Sequence, residues 1–156
     1  MLLEVLFVLP ILVFAQNVTI TTQDSRMHYD GTWVVQDLGG HEFTTTVGSS
    51  VSLAFQGELP FQLGAFSLHI LTSMLGTAIY WHATINPRCG VANVSVDHDA
   101  GVLVDPSIGT TTNSTPLPAI LYEKSGLNPE TSHLINITLL EAGSLGGPYM
   151  EVYNLS

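Results

Sequence analysis

From residue 17 onward, apolar and polar residues alternate over short runs, and turn residues close each run. "NVTITT" opens the series, and "HYDGTWVVQ" follows around an Asp30-Gly31 turn. "HEFTTT" and "SSVSLAFQG" are split by Val47-Gly48-Ser49. Next come "TAIYWHAT", "VANVSVD" and "GVLVDPS", the last two separated by His98-Asp99-Ala100. "PAILYEK", "HLINITLLE" and "YMEVYNL" complete the set. A period of two, with Thr, Val, Ile and aromatic enrichment, predicts strands. Many short strands at regular spacing predict an all-β sandwich or jelly roll. The Ser/Thr/Gly/Pro-rich run "PSIGTTTNSTPLP" predicts an exposed loop between Pro106 and Pro118. "SGLNPETSH" reads as a turn with a short helical segment.

Two stretches break the alternation. The first is "MLLEVLFVLPILVFA", residues 1–15. It is apolar but shorter than the roughly 20 residues a bilayer span needs, and it ends in Val13-Phe14-Ala15, a signal-peptidase pattern. We expect a cleaved signal peptide, although Glu4 and the lack of Lys or Arg before the apolar run are atypical. A buried N-terminal element is the alternative. The second is "ELPFQLGAFSLHILTSMLG", residues 58–76. Its apolar residues at 61, 63, 66, 68, 70, 71, 74 and 75 surround a helix rather than forming one stripe.

Composition narrows the partners. The chain has 156 residues, which suits one domain from 16 to 156 with a substantial core. Three Lys and Arg against thirteen Asp and Glu give a net charge of −10. Such a surface repels phosphate backbones and anionic lipids, so nucleic acid and direct membrane insertion are not expected. Five N-x-[ST] sequons, at Asn17, Asn93, Asn113, Asn136 and Asn154, agree with export and predict outward-facing asparagines. The single Cys89 has no disulfide partner within the chain. It is expected to be buried and inert, the alternative being an intermolecular bridge.

The order of the motifs resembles a family of fungal secreted and membrane-anchored proteins with a galactose-binding-like jelly-roll ectodomain. "MHYDGTWVV" is similar to its Y-x-G-x-W strand, and "VSLAFQG…TAIYWHA" to its core hairpin. "NVSVDHDAGVLVD" resembles its V-S-V-D-G-G turn and following strand. "LYEKSGLNPETSHLINITLLEAG" and "PYMEVYNLS" resemble its two closing blocks. The resemblance covers most of residues 17 to 154. It implies a galactose-binding-like jelly roll at the cell surface or wall, with a transmembrane helix downstream in many members. Against that pattern the 19 residues 58–76 are surplus: without them "VSLAFQGTAIYWHA" reads straight through. Gly57-Glu58 can be GGT-GAG and Leu75-Gly76 can be TTA-GGN, a splice donor and acceptor. We therefore read 58–76 as a translated intron, a non-native insertion, with a genuine helical lid as the alternative.

Candidate chemistry is sparse. No G-x-S-x-G elbow exists, and Glu123 and Glu141 have no readable spatial relation, so an enzyme is not expected. "DHD" at 97–99 reads as turn chemistry, and no zinc or EF-hand spacing occurs, so no cofactor is expected. By family analogy Asp24 or Asp30 could hold a structural calcium. The aromatics Trp33, Tyr80, Trp81, Tyr122 and Tyr149 are the stronger lead, because sugar rings stack on flat aromatic faces. Trp33 is expected in the core. In "AIYWHA" alternation separates Tyr80 and His82 from Ile79, Trp81 and Ala83, and the first pair is expected to face outward. Tyr80, Trp81, His82 and Arg88 are the candidate ligand-binding residues. The expected function is non-catalytic recognition of carbohydrate or a cell-surface glycoprotein by a secreted, wall-associated glycoprotein. The alternatives are a protein-binding adhesion or receptor ectodomain, cut short before a membrane helix, and a wall glycoprotein without a discrete ligand.

Overall fold

The computed structural model describes residues 18–36, 40–56 and 77–156. The leader at 1–15, Asn17 and the segment 58–76 lie outside the described residues. Among the described residues there are twelve strands and no helix. They are β1 (Ile20–Thr21), β2 (Met27–Asp30), β3 (Val34–Gln36), β4 (His41–Thr44), β5 (Ser50–Gln56) and β6 (Thr77–Ile85). They continue as β7 (Gly90–Val96), β8 (Val102–Val104), β9 (Leu117–Leu127), β10 (Ser132–Ala142), β11 (Met150–Val152) and β12 (Asn154–Leu155).

The strands pack as two layers, and every pairing of named strands is antiparallel. One layer is the sheet β1-β12-β6-β9, continued by the smaller sheet β11-β4-β3. The Tyr153 N–H donates to the His82 carbonyl and links the two. The other layer is β2-β5-β10-β7-β8. β1 pairs with β12, Ile20 opposite Leu155, so the two ends of the described chain close the first layer side by side.

The alternation read from the sequence is what fills the core. β6 buries Ile79, Trp81 and Ala83; β5 buries Val51, Leu53 and Phe55. β7 contributes Ala92, Val94 and Val96, and β10 contributes Ile135, Ile137 and Leu139. Met150, Val152 and Leu155 join the same cluster from the last two strands. Each of the larger side chains stabilises the fold by about 1.5–3 kcal/mol relative to exposure. Tight turns set the register. Gly31 and Gly48 have φ of 88° and 90°, and a Cβ on Gly31 would lie 2.4 Å from Ser49 Oγ. Only glycine meets both demands.

Two sequence expectations need correction. No helical segment follows Ser125: β9 runs through Gly126 to Leu127, and a turn follows. The Asn128 side chain accepts from the Glu130 N–H and its carbonyl from the Thr131 N–H, which closes a turn instead of starting a helix. Trp33 precedes β3 and packs against the core half-buried rather than enclosed in it. Its ring meets Tyr29 edge-on at 5.0 Å and its Nε1–H donates to the Asp30 carbonyl, while Val34 and Val35 are exposed. Cys89 is buried, and burial, with Glu151 and Asp105 nearby, pushes its thiol pKa up to about 12. Such a thiol stays protonated and unreactive.

Candidate functional site

Four sequence candidates fall in different places. Tyr80 and His82 share the outward face of β6, half-buried, with ring centroids 6.5 Å apart. His82 Nε2 pairs with Ser156 Oγ at 2.8 Å, which fixes the ring against β12. Trp81 points the other way and is 1% exposed. Its Nε1–H donates to the Glu151 carbonyl at 3.1 Å, so the ring ties β6 to β11 inside the core. It cannot be a stacking platform, which corrects the expectation. The alternation of β6 forces this choice: with Ile79 and Ala83 inward, Trp81 must follow. Arg88 is exposed in the turn after β6, where its carbonyl accepts from the Tyr149 N–H at 3.0 Å.

The structure adds partners that the sequence reading did not commit to. β11 turns Met150 and Val152 into the core, so Tyr149 and Glu151 point to the opposite side, where Tyr149 is half-buried and Glu151 is still covered, at 4% exposure. Glu151 lies across from Phe43 on β4. The Phe43 and Tyr149 rings sit 5.1 Å apart, and the His41 and Tyr153 rings 4.9 Å apart. The Glu151 carboxylate accepts from the Tyr149 hydroxyl at 2.8 Å and from the Thr84 hydroxyl. Thr84 follows Tyr80 and His82 along β6. The outward faces of β6, β11 and β4 are therefore one surface. Tyr80, His82, Ser156, Phe43 and Tyr149 are half-buried along it, while Glu151 and Thr84 are buried beneath and hold the strands together. Burial, followed by the Glu151 hydrogen bond, pushes the Tyr149 hydroxyl pKa upward, so the phenol stays neutral and donating. The spacing Tyr149-x-Glu151-x-Tyr153 was the available signal: three outward positions of one strand-like run.

A second cluster resembles a catalytic triad and fails as one. His133 on β10 is 6% exposed. Its Nδ1 faces Asp97 Oδ2 at 2.6 Å, and Thr131 Oγ1 lies 3.2 Å from its Nε2. Nε2 also meets the Asn128 carbonyl at 2.8 Å. A carbonyl only accepts, so Nε2 carries a proton and cannot take one from Thr131. Nδ1 faces a carboxylate, so it is protonated as well. The ring is an imidazolium clamp that joins the turns after β7 and β9. Burial opposes its charge, but the bonds to Asp97 and Asn128 outweigh burial and raise its pKa.

Asp97 and His98 take φ of 56° and 62°, and Asp99 accepts from Lys124 at 2.6 Å. "DHD" is thus a hydrogen-bonded turn. Asp24 is clasped by Arg26 through two bonds of 2.9 and 2.7 Å, while Asp30 is exposed at the end of β2. Among the described residues no three His, Cys, Asp or Glu side chains converge on a metal position. Asp105 accepts from the backbone and hydroxyls of Ser107 and Ser144, a pin for two loops. Of the sequons, Asn113 is exposed in the β8–β9 loop, and Asn93, Asn136 and Asn154 are half-buried on strands.

No protein-family model matches the chain, and no curated protein matches it by sequence. Solved structures do. A two-domain esterase (CEX) active on acetylated mannans matches with a TM-score of 0.54 at 16% identity, over 88% of this chain and 34% of that one. The same esterase co-crystallized with mannopentaose matches with a TM-score of 0.53 at 15% identity, over 88% and 35%. A Paenibacillus xanthan lyase matches at 0.49 and 12% identity, over 83% and 12%. This chain spans about a third of the esterase chains it matches. At these identities the esterase likeness establishes a shared antiparallel, sandwich-like β fold.

Proposed function

We propose that this chain is a non-catalytic carbohydrate-recognition module of a secreted glycoprotein, with a galactose-binding-like jelly roll, working at the cell surface or wall. The observation that carries this reading is the continuous outward surface of β6, β11 and β4. Half-buried rings lie there beside His82, Ser156 and the Tyr149 hydroxyl, the pairing of flat apolar faces with oriented polar groups that a sugar needs. The fold's occurrence within an esterase active on acetylated mannans supports it. The triad-like cluster seen among the described residues is locked by a carbonyl and supplies no base, which supports a binding role over a catalytic one. No cofactor is required in this reading.

The test is binding of the secreted chain to a panel of neutral and acidic polysaccharides, mannans included. Saturable binding that Tyr80→Ala and Tyr149→Ala each weaken about tenfold, with folding intact, is the expected result. A folded sample that binds no glycan would overturn it. That outcome would favour a protein-binding ectodomain, for which the long edge strand β9 with exposed Leu117 and Ile120 is the suited surface.

A further inference from the structure

Two of the sequons, distant in sequence, interlock in space. Asn93-Val94-Ser95 lies on β7 and Asn136-Ile137-Thr138 on its antiparallel neighbour β10. The register sets Asn136 opposite Ser95, Val94 opposite Ile137, and Thr138 opposite Asn93. Val94 and Ile137 are both 0% exposed in the core, so the other four side chains point out of the second layer. Each asparagine lies across from the hydroxyl residue of the other sequon. The two asparagines are diagonal neighbours, about 7–8 Å apart.

The surroundings suit attached sugar. Ser52 and Ser50 of β5 flank Asn136 and Thr138, so no bulky side chain rises beside the pair on that side. Gly101 lies under the Asn93 amide, where a Cβ would come within 2.3 Å of Oδ1. Asn136 Nδ2 donates one hydrogen to Thr138 Oγ1 at 3.1 Å, which leaves its second hydrogen for replacement. Leu103 lies directly opposite Asn93 and is 65% exposed, and Leu140 is exposed two residues beyond Thr138. These apolar side chains are the floor on which the first sugar of a glycan stem would rest. Asn154 differs. It lies opposite His82 on the other layer, where a glycan would cover the recognition surface.

We infer that Asn93 and Asn136 are a paired N-glycosylation site, and that the outer face of β5, β10 and β7 is covered by the chain's own glycans. This rests on the secretory part of the proposed function. In each reaction the amide nitrogen attacks the anomeric carbon of an oligosaccharide carried on a lipid diphosphate. An N–C bond forms, the C–O bond to the diphosphate breaks, the amide loses a proton and the lipid diphosphate leaves. The module is then two-sided: one layer carries its own sugars, and the other reads foreign ones.

The full chain, secreted from a eukaryotic host, is treated with peptide N-glycosidase in ¹⁸O-water, so that each glycosylated asparagine becomes a labelled aspartate. Label at Asn93, Asn136 and Asn113, with none at Asn154, is expected. Ser95→Ala should remove the label at Asn93 alone, and Thr138→Ala the label at Asn136 alone. Enzymatic removal of the glycans should increase binding of an apolar dye, and Leu103→Ser should abolish that increase. A secreted, folded chain labelled at Asn113 but at neither Asn93 nor Asn136 overturns the paired site and leaves the secretory reading standing. A chain that stays in the cell without any label overturns both.

Discussion

On the first layer the outward positions of β6, β11 and β4 are rings and the groups that hold them: Tyr80, His82, Glu151, Tyr149 and Phe43. On the second layer the outward positions of β5, β10 and β7 are Ser50, Ser52, Asn136, Thr138, Asn93 and Ser95. Both layers bury the same kind of side chain inward, so the core cannot account for the difference. Core demands fix every second residue and leave the others open to other pressures. The open positions diverged into a surface of large flat faces and a surface of small hydroxyls and amides. Divergence at positions free of packing constraint marks where recognition is to be sought.

The sharpest way to break this comparison is to change an inward residue that is also a ligand-binding candidate on sequence. Trp81→Ala should cost about 3–5 kcal/mol in urea unfolding, because it empties the centre of the core and leaves the Glu151 carbonyl without its donor. A loss under 1 kcal/mol would mean that Trp81 is not where the layers meet.

Next in size is the clamp at His133, which neither outward surface uses. Asp97→Asn or His133→Gln should destabilise by about 1–3 kcal/mol at pH 6, since the partner left behind is a group evolved to meet a charge. The pH dependence has two limbs. The folded His133 holds its proton more tightly than an unfolded histidine, so its contribution is complete below the ordinary histidine range. It fades as pH rises through the raised value. The His133 hydrogen bond, with that of the Leu134 N–H, depresses Asp97. Its contribution is complete above the ordinary carboxylate range and fades as pH falls through the depressed value. Stability of the wild type should thus decline on both sides of a mildly acidic plateau, and His133→Gln should flatten the alkaline limb. An unchanged alkaline limb would rule the clamp out.

Smaller effects separate the two surfaces. Tyr80→Ala should change stability by about 1 kcal/mol or less while weakening glycan binding about tenfold, read by titration calorimetry, whereas Tyr149→Ala should also cost about 1–3 kcal/mol because the buried Glu151 carboxylate loses a donor. Ser52→Ala on the opposite face should move neither quantity beyond about 0.5 kcal/mol, the usual range for surface substitutions. If Ser52→Ala weakened binding as much as Tyr80→Ala, the assignment of recognition to the first layer would be reversed.

Much of this was legible in the residues. Alternation in "AIYWHA" separated the core side of β6 from its outward side, "SSVSLAFQG" and "HLINITLLE" were readable as strands, and Gly31 and Gly48 marked turns. The pairing of Asn93 with Thr138 was not legible, because register between residues 45 apart in sequence depends on which strands become neighbours. The surface proposed for recognition was half legible for the same reason. Tyr80 and His82 are local, but Phe43 reaches Tyr149 only through the pairing of β4 with β11. Trp81 was misjudged because an aromatic suits both core and ligand contact, and only its neighbours decide.

The position of β12 has a consequence for synthesis. It lies between β1 and β6, with Leu155 opposite both Ile20 and Trp81. While residues 154–155 are still inside the ribosome, β1 has no neighbour in its sheet among the described residues, and the edge of β6 that β12 covers is open. Closure of the first layer must therefore wait for the last strand to emerge, and until then that edge is a template for any other extended chain. Handling by chaperones should concentrate on this interval rather than on the earlier hairpins.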